Sequence, residues 1–372
     1  MQVEPCREGH CKLKRMESRF ASLLAHYCLD LQPGQTVLIE AEAAALPLLE
    51  ALQEVVLQCG AYPIVQLFPA AVSRIFFLYG ETWLNQIPAP QMALIERVDA
   101  SLRIESALNP LELSEVPPAR LVQFRTGWRP YIQMRARKRW CLTLYPTAGY
   151  AQQAGMSTAA FRALVEQAMY LDRPDPVAAW RELSAFQAAL IERLQKVKEI
   201  RIQADGTDLR LRVEGRIWIN SDGKRNMPSG EVFTAPIESS AEGEVRFNLP
   251  VVVAGRRVEG VRLRFQEGRV VEASARAGEE YLHKMLEADP GARYLGELGI
   301  GGNFGISRPT GLILYDEKIG GTVHLALGQS YLETGGVNTS SIHWDLILDL
   351  RQGGRLLADG EVLQENGQFV GL

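Results

Sequence analysis

The sequence predicts an α/β N-terminal domain with a partly parallel sheet, followed by a β-rich (α+β) C-terminal domain. Three observations carry this expectation. Two apolar runs of strand length flank a helical stretch at 41–59, the spacing of a βαβ unit. After Ile200 the hydrophobic period changes to two, the repeat of a half-buried strand. Glycine also shifts: twenty-one of the 33 glycines follow Val251, a density suited to turns and close backbone approach rather than helices. The length of 372 residues allows two or three domains at roughly 150 residues each.

The elements follow in order. Residues 17–30 read as an amphipathic helix, and Leu31-Gln32-Pro33-Gly34-Gln35 as a turn. A short strand is expected over 36–40 and a helix over 41–59, with Gly60 as its stop. A second strand, rich in Val, Ile and aromatic residues, covers 62–68, and 98–104 and 140–144 are further strands. The α/β domain therefore covers 1–175. Asp175 and Pro176 start a linking helix over 176–198, a capping carboxylate followed by proline in the first turn. Its apolar stripe is Trp180, Leu183, Phe186, Leu190, Leu194 and Val197. The β-rich domain spans 199–372. Leu209, Leu211 and Val213 alternate there with charged residues, as do Val261, Leu263 and Phe265 ahead of the Glu267-Gly268 turn.

Composition narrows the function classes. Hydrophobic residues make up 47% and charged residues 23%, as in globular chains. Forty basic residues against 44 acidic ones give a net charge of −4, which disfavours a dedicated nucleic-acid binder. The basic run Arg135, Arg137, Lys138 and Arg139 beside Trp128, Tyr131 and Trp140 reads as a solvated edge or a subunit contact. No run approaches the roughly 18 apolar residues of a membrane span. Residues 1–20 lack the apolar core of a secretory signal. The five cysteines, Cys6, Cys11, Cys28, Cys59 and Cys141, form no disulfide framework, so a cytoplasmic setting is expected. Cys6, His10 and Cys11 have the makings of a metal clip, but no second ligand pair follows, and the segment ahead of Met16 reads as a tail.

The chemistry gathers in the C-terminal half. His343 and Asp345 are two residues apart in a strand-like segment, so both side chains point to one face. Alone, that pair reads first as a core histidine near a chance acid. Glu231 and Glu297 sit among small and apolar residues, where a carboxylate is costly unless paired or metal-bound. Taken with His324, the five are oxygen and nitrogen donors from four separate segments. Three carboxylates and two imidazoles are what a two-metal hydrolytic site requires. Tyr331, seven residues beyond His324, is placed to ligate or to donate to an oxyanion. A His-Glu-x-x-His motif, a nucleophile elbow and a phosphate-binding glycine loop are all missing. Two other functions remain compatible with such donors: a two-metal phosphoesterase, and a non-catalytic metal-stabilised binding protein.

Four motifs then add a family resemblance: Asn226-Met227-Pro228-Ser229-Gly230-Glu231-Val232-Phe233-Thr234-Ala235-Pro236, Leu295-Gly296-Glu297, the run from Asp316-Glu317-Lys318 through His324 to Gly328, and Ser341-Ile342-His343-Trp344-Asp345. In that order they resemble the thermophilic metalloaminopeptidases of the aminopeptidase T / aminopeptidase S type, and the likeness spans nearly the whole chain beyond its first 15 residues. The resemblance implies a catalytic C-terminal domain, a homodimer, and removal of single residues from peptide substrates with a free N-terminus. It implies two divalent metal ions, zinc or cobalt, with magnesium or manganese as further options. Glu231, Glu297, His324, His343 and Asp345 match the ligands, and Tyr331 the tyrosine beside the metals. Glu297, Glu238 and Glu317 are the candidates for passing a proton to the leaving amine.

Overall fold

The computed structural model describes residues 8–253 and 256–371. Cys6 of the candidate metal clip lies outside the described residues, as do the side chains of His10 and Cys11. The chain forms two compact units: Met1–Ala179 with Gly223–Pro228, and Trp180–Asp222 with Ser229–Leu372.

The first unit is α/β, as the sequence predicts. Strands β1 (Thr36–Ala41), β2 (Tyr62–Leu67), β3 (Ala100–Glu105) and β4 (Arg139–Leu144) form a parallel sheet in the order β2-β1-β3-β4. A fifth, two-residue strand, β8 (Asn226–Met227), extends the sheet beyond β4. In β1, Val37, Leu38 and Ile39 are all fully buried, as expected where helices cover both faces of a parallel sheet. Helices α1 (Glu8–Leu23), α2 (Leu46–Gln58), α3 (Ala70–Tyr79), α4 (Ala89–Arg97), α5 (Pro118–Gly127), α6 (Arg129–Ala136), α7 (Ala148–Gln153) and α8 (Thr158–Ala168) supply the cover. Three residues of the basic run make contacts within this unit, while Arg137 is exposed. The Arg135 guanidinium stacks over Trp140 at 5.0 Å, Lys138 Nζ donates to the Glu96 carbonyl, and Arg139 donates to the Leu29 carbonyl.

Helix α9 (Pro176–Leu194) starts where the Asp175 carboxylate accepts from Ala178 N at 3.0 Å. Beyond it the second unit is antiparallel. One sheet has eight strands. It contains β5 (Glu199–Ala204), β6 (Thr207–Arg212), β10 (Glu242–Arg246), β13 (Arg262–Gln266) and β14 (Arg269–Ser274), then β18 (Arg355–Ala358), β19 (Glu361–Glu365) and β20 (Gln368–Phe369), in the order β14-β13-β10-β6-β5-β18-β19-β20. Leu209 and Leu211 face its core while Asp208, Arg210 and Arg212 face solvent, which is the predicted alternation. The other sheet has five strands, ordered β17-β16-β15-β9-β7: β7 (Ile219–Ser221), β9 (Glu231–Thr234), β15 (Leu295–Gly301), β16 (Thr322–Gly328) and β17 (His343–Asp349). A hairpin of β11 (Val251–Val253) and β12 (Arg256–Val258) and the helices α10 (Glu279–Leu286) and α11 (Ile313–Asp316) complete the unit. Every residue of β15 and β16 is buried. Their apolar faces join one core with Val232, Leu346 and Leu348. Among the described residues no helix is long and apolar enough to cross a membrane.

Candidate metal centre

The site lies on one face of the five-stranded sheet, and strand register explains why. Along β15, Leu298 and Ile300 point into the core, so Glu297, Gly299 and Gly301 share the opposite face. Across the sheet Glu297 pairs with Ala326, and Ala326 with Asp345. Gly299 pairs with His324, and Gly301 with Glu231. Large donor side chains thus alternate with glycine or alanine, which leaves room above the backbone. A Cβ on Gly299 would lie 1.9 Å from His324 Cε1, so only glycine admits the ring there. The sequence-predicted donors Glu231, Glu297, His324, His343 and Asp345 converge from β9, β15, β16 and β17. His343 and Asp345 share a face, with Nε2 3.4 Å from Oδ1.

Both imidazoles are oriented in the same way. The Nδ1 of His324 donates to the Glu317 carbonyl at 3.0 Å, and the Nδ1 of His343 to the Gln329 carbonyl at 2.8 Å. A carbonyl can only accept, so the proton is assigned to Nδ1 in each ring and Nε2 is turned into the site. Glu297 faces both rings: its Oε1 is 3.1 Å from His324 Nε2 and its Oε2 is 3.5 Å from His343 Nε2. Burial opposes charge on these histidines. The hydrogen bond to Glu297 and the charges of Glu231 and Asp345 nevertheless raise the His324 pKa to about 10. Asp345 and Glu297 raise that of His343 to about 9. Burial raises the Glu297 carboxyl above its ordinary range. It works the same way on Asp345, but the hydrogen bond from His343 outweighs it and holds that carboxyl low.

Glu231 is aimed by its backbone. Gly230, at φ +109°, turns the chain where a Cβ would meet that of Asn303 at 2.7 Å. Asn303 Nδ2 donates to the Ser229 carbonyl at 2.8 Å, and Gln187 Nε2 donates to the Glu231 carbonyl. Tyr331 is half exposed, its ring 5.3 Å from that of His343 and 5.6 Å from that of Phe233. Burial and the carboxylates of Glu297 and Asp345 raise its hydroxyl pKa. Glu238 is engaged elsewhere, accepting from Arg216 at 2.6 Å and from Val337 N at 2.8 Å.

One member of the cluster escaped sequence reasoning. Lys318 is fully buried, its Nζ against a Glu317 oxygen and 3.5 Å from Glu231 Oε1. Those two carboxylates outweigh burial and raise its pKa, so the ammonium is retained. The available signal was a charged Asp316-Glu317-Lys318 triplet set immediately before the apolar stretch that becomes β16.

The donors fit a divalent cation. Glu231 Oε2 and Glu297 Oε2 are buried without a hydrogen-bond partner, a costly state that a cation would relieve. Ligand atoms of Glu297, His343 and Asp345 lie within 4.8 Å of one another. Imidazole and carboxylate together suit zinc, cobalt and their neighbours.

The class that such a site defines is a metal-dependent hydrolase. The model of the thermophilic metalloprotease family M29 matches residues 13–369, and the chain belongs to that family. The chain is 28% identical to aminopeptidase 2 of Geobacillus stearothermophilus, over 89% of this chain and 91% of that one. It is 29% identical to aminopeptidase T of Thermus aquaticus, over 95% and 96% of the two chains. The solved structure of wild-type AmpT from Thermus thermophilus superposes with a TM-score of 0.82 at 25% identity, covering 96% of this chain and all of that one. The protein is a peptidase, a hydrolase of peptide bonds, and its family requires a metal.

Proposed function

We propose that the protein is an aminopeptidase that removes single residues from peptides with a free N-terminus, using two divalent metal ions held by Glu231, Glu297, His324, His343 and Asp345. The observation that carries this reading is the shared orientation of His324 and His343, each spending Nδ1 on a backbone carbonyl and turning Nε2 toward a different oxygen of Glu297. A carboxylate so placed would hold metal together with either histidine. Zinc or cobalt suits the donors best, with magnesium or manganese as further options.

Bound metal would act as Lewis acid and activate water at neutral pH. The protein's own residues do the rest. Tyr331, exposed at the rim beside His343, is the donor proposed for the oxyanion that develops on the scissile carbonyl. Glu238 is tied to Arg216 and Glu317 to Lys318, so Glu297 is the carboxylate left to hold a proton and pass it to the leaving amine. Catalysis is assigned to 199–372, with 176–198 as the linking helix and 1–175 as the α/β domain.

A homodimer in the cytoplasm is part of the proposal. Helix α3, which follows the edge strand β2 in the chain, buries none of its residues although it is almost wholly apolar, and Val72, Ile75, Phe76 and Tyr79 are exposed. A surface of that kind calls for a partner. Cys28, Cys59 and Cys141 are not joined by disulfides, in keeping with a reducing compartment.

The test is hydrolysis of a panel of aminoacyl p-nitroanilides, with N-blocked controls. It uses chelator-treated protein given zinc, cobalt or no metal. Cleavage that needs both metal and a free amine supports the reading. Cleavage of the blocked controls at equal rate refutes it.

A further inference from the structure

Beside the candidate metal centre, at the free edge of β17, lies a cavity of about 250 Å³. Two of its lining residues, His343 and Asp345, belong to the centre, so the cavity opens directly onto it. The remainder of the wall is mostly aliphatic. Val251, Val252 and Val253 come from β11, Met285 from α10, Ile313 from α11, and Ile347 lies two residues beyond Asp345 on the same strand face. The other acid in the wall, Asp316, is already spent: it accepts from Thr310 N and Oγ1 and from Gly311 N, each at 2.7 Å. No lysine or arginine lines the cavity. Its volume falls below the roughly 300–1,000 Å³ of sites that take a whole drug-sized ligand, a size for one side chain rather than a peptide.

We infer that this cavity receives the side chain of the substrate's N-terminal residue and that Val253 and Ile313 set its limits. The inference rests on the aminopeptidase reading above and deepens it. Medium and large apolar side chains, such as leucine, methionine and phenylalanine, gain by burial against the valines and Met285. Aspartate and glutamate are disfavoured, because they would bring a third carboxylate beside Asp316 and Asp345, with no lysine or arginine in the wall to pair it and His343 already paired with Asp345.

The experiment compares the metal-loaded wild-type protein with Val253→Trp and Ile313→Trp, two independent ways of filling the cavity from half-buried and exposed positions. Folding is checked by circular dichroism. The substrates are leucyl, phenylalanyl, alanyl and aspartyl p-nitroanilides, and the melting temperature with and without free L-leucine is a second readout. The wild-type protein is expected to favour leucine and phenylalanine over aspartate. Each variant should lose about tenfold or more in kcat/KM on leucine and phenylalanine relative to alanine, together with the stabilisation by free leucine. If the folded variants keep the wild-type ranking, or lose equally on every substrate, the cavity is not the side-chain pocket. If the metal-loaded wild-type protein cleaves no substrate at all, the aminopeptidase reading fails and takes the pocket assignment with it.

Discussion

Oε1 of Glu297 lies 3.1 Å from Nε2 of His324, whose other ring nitrogen is held by the Glu317 carbonyl. With Nδ1 carrying the proton, two electron-rich atoms face each other across that gap unless a proton or a cation lies between them. Glu297→Gln keeps the shape and removes the charge. It should lower bound metal, read by elemental analysis, and cut kcat/KM by at least about 100-fold, with an unchanged circular dichroism spectrum. Full metal content with full activity would remove Glu297 from the centre.

Gly299 makes a second, purely steric prediction. It stands opposite His324 in the β15–β16 pairing, and a Cβ there would lie 2.2 Å from Nε2. Gly299→Ala adds one methyl group, no charge and no hydrogen-bonding atom. It should displace the imidazole, weaken metal retention by about tenfold or more, and depress activity in proportion. A variant that binds metal as the wild-type protein does would show that the ring has another place to go.

How much of this was legible beforehand follows from where each signal resides. The candidate donors could be picked out because they are polar residues in segments otherwise fit for burial, and because His343 and Asp345 are separated by the strand period. The parallel sheet could be found because strand and helix alternate with clear glycine stops at Gly34 and Gly60. Helix α10 went unassigned because it is only eight residues long, with Leu282 and Leu286 as its buried residues. Helix α3 escaped because it buries no residue, and so has no apolar face set against a polar one. The role of Lys318 was hidden for another reason: its partners Glu231 and Glu317 come together only when β9 and the turn before β16 meet, and no local pattern encodes that.

Asp289 links stability to pH. Burial alone would raise its pKa, but hydrogen bonds from Ser341, Ser340 and Gly291 hold it at about 2. Its Oδ2 accepts from Ser341 N and from the Ser340 and Ser341 hydroxyls, so it ties down the segment that delivers His343. A folded pKa below the unfolded value contributes stability above about pH 4, and that stability is lost as the pH falls toward about 2. Asp289→Ala should cost about 1 kcal/mol or more at neutral pH, since the carboxylate also caps the turn at Pro290–Arg293. The melting-temperature gap between variant and wild type should narrow as the pH drops from about 4 to about 2. A gap that stays constant over this window would mean that the carboxylate is not the source of the stability.

Removing metal should expose what Lys318 does. The ammonium is buried with Glu317 and Glu231, while Glu297 and Asp345 crowd the same space. Lys318→Met strips the one lysine from this cluster and leaves carboxylates uncompensated, a loss that typically costs about 3–5 kcal/mol. Divalent ions would offset part of that repulsion, and ligand binding at a hundred times its dissociation constant adds about 2.7 kcal/mol to any folded state that binds it. The penalty of Lys318→Met in urea unfolding should therefore be larger with chelator than with saturating zinc. An equal penalty in both conditions would mean that lysine and metal do not share the same carboxylates. A smaller penalty with chelator would mean that the lysine serves the metal-bound state instead, holding Glu231 and Glu317 in place for the ions rather than standing in for their charge.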